Sequence, residues 1–194
     1  MLISKLFSFE GAHVVRHCST ERCAGSIHGH SYKLEVILHA TVFDHGQMVH
    51  DFNFLKQSVR ELIDAFDHAM VFWNEDNPAF IASMRRHSLR TIGLPVSPSA
   101  EQLSRVFFVL IDGLLDDVPE TTGEGRVRLE SIILHETATG CAQCFRADAF
   151  NPDMGAIDIG NIVFSPSVLR EAPSGVLARL SSDDDDALLR GCAC

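Results

Sequence analysis

No stretch of this sequence approaches the ~20 consecutive apolar residues needed to cross a bilayer. The opening MLISKLFSFEGAH has neither the basic start, the long apolar run nor the small-residue cleavage site of a secretory leader. Basic residues are scarce: 16 Lys and Arg stand against 26 Asp and Glu, for a net charge of -10 with histidines neutral. Binding nucleic acid means neutralising phosphates with clustered Lys and Arg, so neither a nucleic acid nor a membrane is expected as a partner. The cysteines Cys18, Cys23, Cys141, Cys144, Cys192 and Cys194 lack the spacing of a small disulfide-built scaffold, so a cytoplasmic protein with reduced thiols is expected. What is present is globular. The chain has 194 residues, 46% hydrophobic and 22% charged, enough for one domain with a sizeable core.

Residues 2–9 (LISKLFSF) predict a first strand, and 30–43 (HSYKLEVILHATVF) a long second one rich in β-formers. Asp44-His45-Gly46 supplies turn chemistry. Asp51 or Asn53 is placed to cap a helix whose apolar positions Leu55, Val59, Leu62, Ile63 and Phe66 form one stripe. A second helix is predicted from Ser99, where Ser-Ala-Glu-Gln fits a capping box, with Leu103, Phe107, Leu110 and Leu114 on one face. Between them, 74–97 reads as an irregular insertion punctuated by Pro78, Gly93 and Pro95. Residues 127–135 and 141–147 predict two more strands joined by a tight connection at 137–140. This order implies an α+β domain over 1–147, with two helices on one face of a four-stranded antiparallel sheet. The remainder, 148–194, reads as an extension ending in a partly disordered tail with the acidic run Asp183 to Asp186.

The chemistry-bearing cluster is histidine. His28 and His30 fall at the entry to the second strand, where residues two apart point to one face about 6–7 Å from each other. Gly29 between them lets backbone or substrate approach closely. His13 lies just past the first strand. If the two strands pair as an antiparallel hairpin, residue 13 falls opposite 28 to 30 and three imidazoles converge. Three protein ligands plus an open position is the arrangement of catalytic zinc, whereas structural zinc closes its shell with four. Any one of these histidines alone would read as an ordinary turn or surface residue.

FSFEGAH (7–13), CAGSIHGHSYKLEV (23–36), MVHDFNFLK (48–56), FDHAMVFWN (66–74), PSAEQL (98–103) and LHETATG (134–140) follow one another in the order of a known family. Through them the chain resembles the 6-pyruvoyltetrahydropterin synthase and 6-carboxytetrahydropterin synthase family. The resemblance implies a tunnelling fold whose subunits join sheets into a barrel, a homo-oligomer, typically a hexamer, and active sites at subunit interfaces. It implies Zn2+ held by His13, His28 and His30, with Cys23 as proton-abstracting base and Asp67 with His68 as the pair that activates it. Glu136 is implied as the carboxylate that anchors the pterin ring of the substrate, a pterin triphosphate, and as a catalytic member of the relay. Four residues separate Cys23 from His28, between the spacings of the family's carboxy and pyruvoyl branches, so the resemblance does not fix the branch.

The residue types suit that chemistry. A thiol serves as a base near neutral pH when a metal ion or His+ lowers its pKa. An imidazole takes the thiol proton when a carboxylate holds its tautomer, and a carboxylate accepts paired N–H groups of a pterin. Each also has an ordinary reading: Cys23 an idle thiol with Cys18 as rival, Asp67-His68 a helix end, Glu136 a solvated strand-end carboxylate. Lys33 and Arg16 are available to meet phosphate, with nothing in the sequence to single out either. Cys141-Ala-Gln-Cys144 reads as sheet, since a zinc ribbon needs a second pair and a redox pair prefers a helix start. The leading expectation is a zinc-dependent carbon–carbon lyase making 6-carboxytetrahydropterin toward queuosine-type deazapurines. The alternatives are triphosphate elimination to 6-pyruvoyltetrahydropterin and a non-catalytic pterin- or metal-binding relative.

Overall fold

A computed structural model describes residues 1–50, 53, 55–116, 127–172 and 175–177. The alternative cap Asp51, the acidic run and Cys192 and Cys194 lie outside the described residues. β1 (Leu2–His13) and β2 (His28–His39) pair antiparallel along their whole length, from Leu2 opposite His39 to His13 opposite His28. Both reach further toward the connecting loop than the β-former runs suggested, because the pairing carries Gly11 and Gly29 with it. A Cβ on Gly29 would stand 3.0 Å from the Gly11 carbonyl oxygen, so the strands close here only without a side chain. The loop between them holds one short turn of helix, α1 (Glu21–Gly25).

A π-type turn at Leu55–Val59 leads into α2 (Arg60–Phe66), and the stripe Leu55, Val59, Leu62, Ile63 and Phe66 is completely buried. Burying each such side chain is worth about 1.5–3 kcal/mol. β3 (Ala69–Trp73), α3 (Pro78–His87) and β4 (Thr91–Leu94) follow as a strand–helix–strand unit. The segment expected to be irregular is therefore regular. Pro78 is no breaker, because it occupies the first turn of α3, where a missing N–H costs nothing, and Asn77 caps that turn by accepting from the Ala79 amide at 2.8 Å. Gly93 marks a close approach, since a Cβ there would collide with the Asn74 side-chain oxygen.

α4 (Ala100–Asp116) begins after Ser99, whose hydroxyl accepts from the Gln102 amide at 3.3 Å. The capping box is only half made, because the Gln102 side chain donates instead to the Met154 carbonyl at 2.7 Å. β5 (Arg128–His135) and β6 (Cys141–Phe145) complete the expected strands. α5 (Arg146–Ala149) then packs on α4, two short 3-10 turns follow, β7 (Val163–Phe164) pairs with β4, and α6 (Pro166–Glu171) meets α2. Ala149, Ile162, Val168, Val176 and Leu177 join the main core. α4 is thus buried beyond its predicted stripe, down to Arg105, which donates to the carbonyls of Asp148, Ala149, Asn151, Met154 and Gly155.

The four-stranded antiparallel sheet is corrected to a seven-stranded mixed one in the order β6-β5-β2-β1-β3-β4-β7, with β1–β3 and β3–β4 parallel. β3 and β4 are buried on both sides, as parallel strands are, so their sequences lack the alternation that reveals a half-exposed strand. The helices are not confined to one face either. α2 and α4 cover the main core, while Phe80, Ile81 and Met84 of α3 pack on Val14, Met70 and Phe72 on the other side.

Candidate metal centre

Directly opposed residues of an antiparallel pair share a face, and so do residues two apart on one strand. His13 opposes His28 and Gly11 opposes His30, so all three imidazoles rise from the side that carries Phe7, Phe9, Tyr32 and Leu34 into the core. Their ring centroids lie 4.5, 5.1 and 5.2 Å apart, and one nitrogen from each falls within 4.8 Å of the others.

Their hydrogen bonds test whether a cation fits. His13 Nδ1 faces the Pro98 carbonyl at 2.6 Å and His28 Nδ1 the Ser26 carbonyl at 3.0 Å. A carbonyl only accepts, so both Nδ1 atoms carry the proton and donate it. With Nδ1 so engaged, the Nε2 atoms of these two rings face each other at 3.1 Å. His30 Nε2 is buried without a hydrogen-bond partner. Three imidazole nitrogens turned on one point are a ligand set, and the two carbonyls orient His13 and His28 as supporting groups of metal sites do. Burial pulls the His13 pKa down to about 4 against the Pro98 hydrogen bond, with His28 and His30 adding to the fall, so the ring is neutral as a ligand must be.

Glu136 stands at the edge of this cluster, its Oε1 3.6 Å from His13 Nε2 and 3.8 Å from His30 Nε2. It opens the connection from β5 to β6, where its amide reaches the Gly140 carbonyl and Thr137 Oγ1 accepts from the Thr139 and Gly140 amides. His30, Glu136, Lys33 and His135 line an open cleft of about 790 Å³, to which Lys33 belongs from the sheet face opposite the imidazoles. Arg16, the other suggested phosphate contact, is instead bonded to Asp76 and to the Ala24 carbonyl.

Asp67 and His68 form a pair at the end of α2. Asp67 Oδ1 accepts from the Glu10 amide at 2.7 Å and Oδ2 from His68 Nδ1 at 2.9 Å. Burial raises the Asp67 pKa, but the Glu10 amide, the His68 hydrogen bond and charge and the Arg90 charge outweigh it and hold the carboxyl below its usual range. His68 sits at φ 56, an uncommon conformation for a side chain this size, and its ring is 72% exposed. It lines a second cleft, of about 360 Å³, shared with His30, Gly29 and Ser31. Cys23, on α1, is half-buried, and lines neither cleft. Within one chain the structure therefore gathers His13, His28, His30 and Glu136, and forms the Asp67–His68 pair at the cleft shared with His30, while Cys23 lines neither cleft.

Sequence reasoning missed three supporting groups. Tyr32, whose hydroxyl lies 3.3 Å from His13 Nδ1, continues the alternation of His28 and His30 and was legible from it. Burial, followed by the Glu136 charge, raises its pKa and keeps the phenol protonated. The Pro98 carbonyl and Arg90 carried no signal. Arg90 binds the carbonyls of Asp64, Ala65 and Asp67 at the end of α2, and pairs with Glu171. Cys141 is exposed and Cys144 buried, its thiol pushed up to about 12 chiefly by burial, which suits a sheet residue and not a redox pair.

A family model described as 6-pyruvoyl tetrahydropterin synthase matches residues 2–147. A 6-carboxy-5,6,7,8-tetrahydropterin synthase of Helicobacter pylori is 35% identical over 152 residues, covering 78% of this chain and 76% of the relative. A protein of the same name from Aquifex aeolicus is 27% identical over 159 residues, 73% of this chain and 95% of its own length. Among solved structures, an uncharacterised Wolinella succinogenes protein superposes with TM-score 0.62 at 17% identity, over 75% of this chain and 98% of that one. The Caenorhabditis elegans 6-pyruvoyl tetrahydropterin synthase does so with TM-score 0.51 at 20% identity, over 75% and 94%. At such identities these two likenesses speak for the fold alone.

Proposed function

The chain belongs to the 6-pyruvoyl tetrahydropterin synthase family, and from that premise we propose that it is a zinc-dependent carbon–carbon lyase acting on 7,8-dihydroneopterin triphosphate. The products are 6-carboxy-5,6,7,8-tetrahydropterin, acetaldehyde and triphosphate, with one water taken up, a step toward deazapurine nucleosides such as queuosine. The observation that carries the carboxy outcome is the kinship, over most of both chains, with the protein named 6-carboxy-5,6,7,8-tetrahydropterin synthase.

His13, His28 and His30 would hold the ion, Nδ1 of His13 and His28 being engaged by carbonyls. Bound there, zinc supplies Lewis-acid polarisation of the substrate's side-chain oxygens. Glu136 accepts hydrogen bonds from the pterin's amino and ring N–H groups, which sets the substrate side chain beside the imidazoles. Cys23 removes the side-chain proton as a thiolate. His68 takes the thiol proton on Nε2, because its Nδ1–H is held by Asp67. Cys23 lines neither the cleft of Glu136 nor that of His68, which supports a homo-oligomer whose sites are completed across subunits. β6 is an edge strand, and Leu2, Leu6 and Phe145 are exposed hydrophobics; both favour sheet-to-sheet association.

The test is incubation with 7,8-dihydroneopterin triphosphate followed by mass spectrometry and an acetaldehyde assay. Carboxy product with stoichiometric acetaldehyde is expected from the wild type and none from Cys23→Ala, which keeps its metal. Pyruvoyl product without acetaldehyde would overturn the carboxy outcome, and absence of turnover would leave a non-catalytic binder.

A further inference from the structure

α1 carries Cys23 yet has little of its own to hold it. It is five residues long, buries none of them and has no side-chain cap at its start. The amides of Cys23 and Ala24 are spent inside the turn, both on the Thr20 carbonyl. Two outward bonds fix its place. The Val15 amide donates to the Cys23 carbonyl at 3.3 Å, and Arg16 Nη1 donates to the Ala24 carbonyl at 2.8 Å.

The same guanidinium is anchored at its other edge. Arg16 Nε donates to the two carboxylate oxygens of Asp76 at 3.2 and 3.0 Å, and its carbon lies 4.7 Å from the centre of the Phe80 ring. Asp76 is buried and aimed by the Asn77 amide at 2.7 Å. Phe80 packs with the cluster of Val14, Met70 and Phe72. Both partners belong to the 74–97 segment, which the shared motifs do not reach.

From this geometry we propose that Arg16, clamped by Asp76 and Phe80, is the positioning residue for Cys23: it ties the carbonyl next to the thiol to a rigid strand–helix unit. Only a planar fork with several donors serves a carboxylate, a carbonyl and an aromatic face together, which an ammonium does not. The consequence rests on Cys23 acting as the base, since displacing a reacting group by about 1 Å costs roughly a hundredfold in rate.

The experiment compares Arg16→Met, Arg16→Lys, Asp76→Asn and Cys23→Ser in the zinc-loaded protein. It reads kcat, KM, zinc content, thermal midpoint and the rate of iodoacetamide alkylation at Cys23 relative to Cys18 in the same molecule. Arg16→Met is expected to lower kcat about ten- to a hundredfold with KM and zinc content unchanged, and to change the relative alkylation of Cys23 at least about threefold. Asp76→Asn follows it, and Arg16→Lys recovers only part. Wild-type kcat in Arg16→Met, where Cys23→Ser is inactive, overturns the proposal. So does a loss of kcat that tracks zinc content or folded fraction, or one with unchanged alkylation. If Cys23→Ser turns over normally, the assignment of the base fails instead, and the alkylation rate alone then decides whether Arg16 sets the thiol.

Discussion

Replacing His30 by alanine should have opposite effects with and without metal. In the metal-free protein His30 Nε2 is a buried nitrogen without a hydrogen-bond partner, and the nearest carboxylate oxygen, of Glu136, is out of reach at 3.8 Å. Leaving such a group unsatisfied costs about 1–3 kcal/mol. The side chain is 20% exposed, so its removal opens the cluster to solvent and leaves no closed cavity. Under chelation, His30→Ala should therefore be no less stable than the wild type. With zinc at a hundred times the wild-type Kd, binding adds about 2.7 kcal/mol. For a chain of this size that is worth about 5–11 °C in the thermal midpoint, at roughly 2–4 °C per kcal/mol, and the variant forfeits most of it. Thermal denaturation in chelator and in zinc buffer reads both effects. An equal loss of stability in the two buffers would mean that His30 is an ordinary packing residue and would refute the assignment of the ligand set.

Asp67 titrates below its unfolded value, so it adds stability above about pH 4 that is lost as pH falls through its folded value; Asp67→Asn should remove that part of the acid slope in urea titrations. Arg105→Met leaves five backbone carbonyls without their shared donor, and stability should fall by about 3–5 kcal/mol, read by urea denaturation; a loss under about 1 kcal/mol would show that those carbonyls find other partners. Oligomers assembled jointly from Cys23→Ala and His68→Ala chains, each inactive alone, should regain activity if one subunit's thiol works with another's imidazole. Mixed oligomers as inactive as their parents would confine the relay to one chain.

How much of the fold was legible depended on exposure. β1, β2, β5 and β6 each show one face to solvent, at least in part, so their composition and alternation identified them. The stripe of α2 was legible because Leu55, Val59, Leu62, Ile63 and Phe66 all face one core. β3 and β4 are covered on both sides, by α2 and α4 on one and α3 on the other, and a covered strand keeps no period. Their short apolar runs, AMVFW and TIGL, are compatible with strand, buried helix or loop until the neighbours are known. α4 misled in the opposite sense. Its stripe was correct, but Phe108 and Arg105 are buried as well, because residues 148–155 return to cover them from far along the chain.

The site divides along the same line. Strand geometry is local, so His28, Gly29, His30 and Tyr32 announced a shared face, and one pairing register delivered His13 to it. The groups that make these residues chemically specific are remote. The Pro98 carbonyl that fixes the His13 tautomer is 85 positions away, and the Asp76 carboxylate that holds Arg16 is 60 positions away. No spacing rule links residues at such separations, since the fold alone sets which backbone carbonyl or carboxylate arrives. The strand–helix–strand unit lies largely outside the motifs that define the family, yet it supplies both Asp76, beside the Cys23 turn, and Arg90, which closes α2 just before His68. β3 of the unit pairs with β1 as far as His13, but the part beyond it, residues 74–90, reaches the Cys23 turn through Arg16 and the end of α2, and not the imidazoles. Exchanging residues 74–90 between relatives should accordingly alter thiol reactivity and turnover while metal content stays constant.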